Sequence, residues 1–378
     1  MKKSITKNKN AGIYIHIPFC LSKCDYCDFV SFAGSEWREK YISALCIDIA
    51  QKAGKFAVGE IDTIYFGGGT PSILKSHQIA EILACVKENF TVSPNAEITI
   101  EVNPKTADKE KLLDFKKIGI NRVSVGVQSF ENSELTAVSR AHTGEEAKEI
   151  LQIASGIFDN FSCDLMLGLP NSTMASVFKN IKTALAFSPK HISLYGLQVE
   201  EGTKLFENVA NGLILPREDT VADMFELSEN MLKENGFTHY EISNFAINGF
   251  ESKHNLGYWK LKDYIGFGVS AHSLVGLDRF YAPNTIEEYI TAVIANTCEL
   301  PEETLTPEEA KKEYIMLGFR LQEGVDLIEY NKMLGGNFRA EYKSQLEKFA
   351  LYLEITPTSA KIQPQYYYIS NQIISEFM

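Results

Sequence analysis

Cys20, Cys24 and Cys27 stand within eight residues at the spacing C-x3-C-x2-C. Three thiolates on one loop can close around one metal centre, and their number narrows the choice. A tetrahedral zinc site takes four protein ligands, or three with an open position, and usually draws on C-x2-C pairs far apart in the chain. A cubic iron–sulfur cluster held by three cysteines leaves one iron free to bind a substrate or cofactor. The spacing favours a reactive cluster; a partial zinc knuckle or unrelated thiols is the plainer alternative. The other four of the seven cysteines, Cys46, Cys85, Cys163 and Cys298, are scattered on apolar or helical stretches and read as buried packing residues. That usage points to a reducing compartment.

Other residues with chemical potential follow in order. Gly67-Gly68-Gly69-Thr70-Pro71 removes side chains where the chain turns, so that backbone amides and carbonyls can approach a ligand; a tight turn is the structural alternative. Glu101 lies in Glu101-Val102-Asn103-Pro104, Gln128 before Ser129, Arg140 in Ser139-Arg140-Ala141-His142, and Asp164 after Cys163. Each has a plain structural reading as a helix cap or a solvated charge. An arginine also offers a planar two-donor fork for a carboxylate. His254, in His254-Asn255-Leu256-Gly257-Tyr258-Trp259, could supply a ring nitrogen to a metal, with Tyr258 and Trp259 as flat apolar surface. A core histidine beside packed aromatics is the alternative, and His272 is as readily structural.

These residues need a scaffold, and periodicity supplies one. A short apolar run, 13–17, leads through Pro18 into the cysteine loop. Strand-like runs recur at 61–66, 97–102, 122–127, 161–167 and 191–197. Between them lie helical patterns at 35–54, 76–89, 108–118, 144–158 and 173–187, the first capped by Ser35 and stopped at Gly54. Six strand units in alternation with helices predict an α/β fold with a parallel sheet and helices outside. Functional residues then belong at the carboxyl ends of the strands, where the cysteines, the glycine triplet and Glu101 fall. Residues 218–235 predict another helix, 240–279 are rich in glycine and aromatics, and helical periodicity returns from Thr304, with a short hairpin predicted at 361–370. The expected division is 1–200 for the barrel with the cluster site, 201–300 for a barrel extension holding His254, placed near the barrel mouth, and 301–378 for a smaller, mostly helical α+β C-terminal domain.

The cysteine loop followed by Gly67-Gly68-Gly69-Thr70-Pro71 resembles the radical S-adenosylmethionine (SAM) superfamily, and the GGGTP form resembles its oxygen-independent coproporphyrinogen oxidase (HemN-like) family. The resemblance implies a partial (β/α)6 barrel holding a [4Fe-4S] cluster on Cys20, Cys24 and Cys27, with SAM on the open iron. It further implies that Tyr14 backs the SAM site, that Tyr26 contacts adenine, and that the backbone of Gly68, Gly69 and Thr70 holds the methionine amine. Thr70 replaces the acidic residue common in that motif. Glu101 matches a carboxylate placed on SAM, Gln128 and Asp164 match ribose contacts, and Arg140 matches a partner for the SAM carboxylate.

Within the family, the decarboxylases carry a further cysteine two residues after the third, where this chain has Phe29, and a long extension before the barrel, where only 13 residues precede Tyr14. His254-Asn255-x-x-Tyr258-Trp259 resembles an element of the family's haem-chaperone subgroup. That resemblance implies haem as a third ligand, held in part by His254, and recipient apo-haemoproteins, including those of the respiratory chain, as partners. The coproporphyrinogen III oxidase is the alternative, and an RNA-modifying radical SAM protein a third.

The 378 residues carry 49 acidic against 37 basic side chains, a formal charge of −12. That balance disfavours a nucleic-acid partner. The opening Met1-Lys2-Lys3 is followed by polar residues, and no 18-residue apolar run occurs, so a cytoplasmic protein is expected. Weak membrane association and a homodimer are left open.

Overall fold

The computed structural model describes residues 10–378; the polar start at residues 1–9, with its expected lack of a signal segment, lies outside the described residues. Strands β1 (Ala11–Ile17), β2 (Ile61–Gly68), β3 (Val92–Val102), β4 (Arg122–Gln128), β5 (Phe161–Leu167) and β6 (His191–Gly196) pair in chain order, all parallel. Helices α1 (Arg38–Lys55), α2 (Ser76–Asn89), α3 (Lys109–Ile118), α4 (Gly144–Ile157) and α5 (Met174–Leu185) lie in the connections.

Side-chain alternation along each strand explains the architecture. Ile13, Ile15, Ile64, Phe66, Ile98, Ile100, Val123, Val125, Leu165 and Ile192 are buried in the main core. Of their alternate neighbours on the concave face, Tyr65 hydrogen-bonds to Glu101, Ser124, Ser162 and Ser193 hydrogen-bond to Asp164, and Tyr14 bonds to His16. The barrel is therefore apolar towards its helices and polar in its lumen.

The same sheet continues past both edges to twelve strands. After α6 (Lys204–Ala210) and α7 (Glu218–Glu234), β7 (Thr238–Glu241) and β8 (Asn244–Ala246) extend it antiparallel beyond β6. Helix α8 (Lys253–Trp259) leads to β9 (Tyr264–Phe267), which pairs parallel with β1 and is followed by antiparallel β10 (His272–Val275), β11 (Asp278–Tyr281) and β12 (Leu300–Thr304). These six are three to five residues long, too short for alternation to announce them. A second core, with Phe319, Tyr330, Phe338 and Phe377, holds the C-terminal part, whose helices enclose a three-stranded sheet.

Several local expectations are corrected. Ser35 does not cap α1: the N-cap is Trp37 without a side-chain bond, because Ser35 enters a turn in which its carbonyl accepts from Arg38 N. Strand β3 begins at Val92, earlier than expected, since Pro94 falls where the register with β2 slips and breaks no ladder bond there. The C-terminal hairpin lies upstream of 361–370, pairing Leu353–Ile355 with Ser359–Ile362, because Pro364 opens a 3-10 turn. Cys163 and Cys298 are buried as expected, but Cys46 and Cys85 are half-buried. Among the described residues, no helix is long and apolar enough to cross a membrane.

Candidate functional site

Strand β1 ends at Ile17, and Phe19–Cys20 makes a two-residue parallel bridge with Phe32–Ala33 that closes the cysteine loop on itself. Asp25, buried between Cys24 and Cys27, anchors the loop: its N–H donates to the Val138 carbonyl (3.1 Å), its carbonyl accepts from Leu205 N (2.7 Å), and its carboxylate accepts from Asn208 Nδ2 (3.1 Å). All three thiols are half-buried at this mouth. Burial raises the Cys27 thiol, and proximity of Cys24 and Cys20 adds to the shift.

The glycine triplet is sewn to that loop, Gly69 N donating to the Ile17 carbonyl (3.0 Å) and Thr70 N to the Phe19 carbonyl (2.8 Å). A Cβ at Gly69 would lie 2.9 Å from both of those carbonyl oxygens. Gly68 has φ +106°, and a Cβ there would come within 2.4 Å of the His16 ring. Only glycine permits this approach.

Thr70 Oγ1 lies 3.5 Å from Cys20 Sγ and accepts from Asn103 Nδ2 at 2.8 Å. Arg140 donates through Nη2 to Asn103 Oδ1 (2.7 Å) and the Gly126 carbonyl (2.6 Å), and through Nη1 towards Cys24 Sγ and Tyr26 Oη (both 3.4 Å). A small open cleft lies over this cluster, lined by Cys24, Thr70, Asn103, Lys105, Arg140 and His142, among others. Burial and the neighbouring Arg140 charge lower His142 to about 4, so its imidazole is neutral. Gln128 ends β4 at φ +66°, a costly conformation for a non-glycine residue. Its Oε1 and Arg140 Nε are both buried without hydrogen-bond partners.

Deeper in the lumen, Glu101 accepts from Tyr65 Oη (2.9 Å) and the Gly68 N–H. Burial pushes its carboxyl up to about 8, against the Tyr65 bond and with the Asp164 charge. Tyr14 donates to or accepts from His16 Nδ1 (3.0 Å), and its ring lies 3.1 Å from where a Gly67 Cβ would stand. Asp164 accepts from Ser124 (2.9 Å), Ser162 (3.0 Å) and Ser193 (2.7 Å), and burial still raises its carboxyl.

The structure thus brings Cys20, Cys24, Cys27, Tyr26, Gly68, Gly69, Thr70, Glu101, Gln128 and Arg140 to one end of the barrel, with Tyr14 and Asp164 below them. His254 is elsewhere, which corrects its expected place at the mouth. It sits on α8 beneath the barrel, where Nδ1 meets Thr63 Oγ1 (2.9 Å), Nε2 meets Tyr258 Oη (2.8 Å), and the ring stacks 5.1 Å from Tyr65. Thr63 and its partner Gly12 lie at the amino ends of β2 and β1. The five residue-to-residue steps from Gly12 to Ile17 make that about 16 Å from the mouth. The placement follows from a helix capped by Ser252 and from a lumen polar enough to accept an imidazole. Burial lowers His254 to about 3, so the ring is neutral.

Asn103, which joins Thr70 to Arg140, was missed as a site residue. Its signal was in the strand period: it stands two residues beyond Glu101 and shares its face.

The residues fit a three-cysteine cluster with a ligand on its open iron. Three half-buried thiols share one loop sewn to the glycine turn, two of whose glycines admit no Cβ, while Thr70 Oγ1 and Arg140 Nη1 approach Cys20 and Cys24 and Arg140 Nε is buried without a partner.

Comparison with known proteins agrees in several ways. The model of the radical SAM superfamily matches residues 14–184. The chain is 35% identical over 344 residues to the "Heme chaperone HemW" of Bacillus subtilis (strain 168), covering 89% of this chain and 91% of that one. It is 38% identical over 325 residues to the protein of the same name from Synechocystis, covering 82% and 78% of the two chains. For the one from Escherichia coli (strain K12) the figures are 38% over 267 residues, 70% of each. Among solved structures, the Escherichia coli coproporphyrinogen III oxidase HemN, described as a radical SAM enzyme, superposes with a TM-score of 0.85 over 99% of this chain and 91% of that one. At 22% identity that likeness establishes the fold.

Proposed function

Because the chain belongs to the HemW haem-chaperone family of the radical SAM superfamily, we propose that it binds a [4Fe-4S] cluster, SAM and haem, and passes haem to apo-haemoproteins. The observation that carries the reading is the backbone joining of the loop that holds Cys20, Cys24 and Cys27 to the glycine turn, where no Cβ fits at Gly68 or Gly69. Cys20, Cys24 and Cys27 would hold the cluster, which would supply an electron for reductive cleavage of bound SAM.

The chain's own residues supply the rest. The backbone of Gly68, Gly69 and Thr70 stands open to the methionine amine, and the Glu101 carboxyl can accept a hydrogen bond from SAM. Arg140 Nε is left to a carboxylate, Gln128 and Asp164 serve the ribose, Tyr26 flanks the adenine, and Tyr14 supports the glycine turn from beneath. Phe29, where the decarboxylases have a further cysteine, is 63% exposed beside the mouth and offers no ligand atom. His254 reaches haem iron only when α8 leaves the barrel floor, since both ring nitrogens are engaged while it is seated.

The test is anaerobic incubation of the reconstituted protein with SAM and either haem or coproporphyrinogen III. A shifted Soret band, haem transfer to an added apo-haemoprotein and no decarboxylation support the chaperone. Protoporphyrinogen formation would replace it with the oxidase.

A further inference from the structure

Resting on the reading that Cys20, Cys24 and Cys27 hold the cluster, we propose that Asn103 is a positioning residue that aims two hydrogen-bond donors at the cluster's thiolates and thereby raises its reduction potential. Thr70 Oγ1 accepts from Asn103 Nδ2 at 2.8 Å and lies 3.5 Å from Cys20 Sγ. A hydroxyl has one proton, and occupying its lone pair with the amide leaves that proton for the sulfur. Thr70 is buried, so no bulk water competes for it.

The other face of the same amide acts on Arg140. Asn103 Oδ1 and the Gly126 carbonyl accept from Nη2 at 2.7 and 2.6 Å, which leaves Nη1 directed 3.4 Å from Cys24 Sγ. Asn103 is itself held by its backbone, its N–H donating to Ser72 Oγ (3.2 Å) and its carbonyl accepting from Thr106 N (2.9 Å) and Oγ1 (2.8 Å). One fixed amide therefore orients a neutral donor on one thiolate and a cation on another. Donors to cluster sulfurs stabilise the reduced, more negative state, and partners of this kind tune a metal centre without touching it.

Asn103 therefore acts through Thr70 and Arg140 and meets no iron. The acidic residue common at position 70 in the superfamily's motif would accept from the amide but, when ionised, offer the sulfur no proton. Threonine makes this position a donor.

The experiment is an EPR-monitored redox titration of the reconstituted cluster in the full-length chain, with iron and sulfide content measured alongside. T70V, which keeps the shape and removes the hydroxyl, is expected to lower the reduced-to-oxidised ratio at fixed potential about tenfold, equivalent to about 59 mV for a one-electron couple. N103A is expected to shift in the same direction, T70S to keep the wild-type potential, and the T70V/N103A double variant to shift by less than the sum. A fully loaded N103A with the wild-type potential, or strict additivity in the double variant, would overturn the proposal. If N103A takes up no cluster, T70V decides: an unchanged potential there overturns it equally. A wild-type chain that takes up no cluster sinks the underlying reading instead, and the proposal with it.

Discussion

Replacing Glu101 by glutamine is expected to make the cofactor-free protein more stable, increasingly so as pH rises. The carboxyl titrates at about 8 in the folded chain, raised from 4.5 mainly by burial. The folded state therefore retains a proton that the unfolded chain has lost between those values. Stability from that proton is fully present below pH 4.5 and is lost as pH climbs through 8. At pH 7 the gap of about 2.5 pH units, at about 1.36 kcal/mol each, gives an upper bound of about 3.4 kcal/mol. The lumen stays partly open to solvent, which reduces the expectation to about 2 kcal/mol. Glutamine does not titrate and still accepts the Tyr65 hydrogen bond, so the difference isolates the charge. Urea unfolding of wild type and E101Q from pH 4.5 to 8.5 reads it: the curves should nearly coincide at the acid end, separate progressively from about pH 5, and run parallel above about pH 8. Parallel curves across the whole range would refute the buried, protonated carboxyl.

Other outcomes follow from the same geometry. G69A places a methyl 2.9 Å from the Ile17 and Phe19 carbonyls and should cost about 1–3 kcal/mol by denaturant midpoint and weaken SAM binding. G54A, in the last turn of α1 with nothing within 4 Å of a new Cβ, should stabilise by about 0.5–1 kcal/mol. H254A should lower haem affinity and alter the Soret band, and haem added to the wild type should speed hydrogen exchange of the α8 amides. An unchanged affinity in H254A, with α8 still protected, would remove His254 from the haem site.

Much of this was legible from local signals. The five connecting helices and six parallel strands declared themselves because their amphipathic periods run for six residues or more. The cysteine loop and glycine triplet were legible because the chemistry needs those residue types and tolerates few others. What escaped was of two kinds. The edge strands β7 to β12 are too short for a period to register, and the two that join them to the barrel, β8 beside β6 and β9 beside β1, pair with strands far upstream. The position of His254 depended on tertiary packing: nothing in His254-Asn255-x-x-Tyr258-Trp259 says which end of a barrel it will seal. Thr63 and Glu97, which hold it there, come from strands more than 150 residues upstream. Asn103 lay between these cases, visible by strand period once Glu101 was recognised.

The most direct measurement is metal analysis with EPR of anaerobically reconstituted protein, wild type and C20S/C24S/C27S, with and without SAM. The expected result is about four iron and four sulfide per wild-type chain, none bound as a cluster in the triple variant, and a reduced-cluster spectrum that changes when SAM is added. Zinc in place of iron and sulfide, or a spectrum indifferent to SAM, would contradict the assignment of Cys20, Cys24 and Cys27 to a cluster with one open iron.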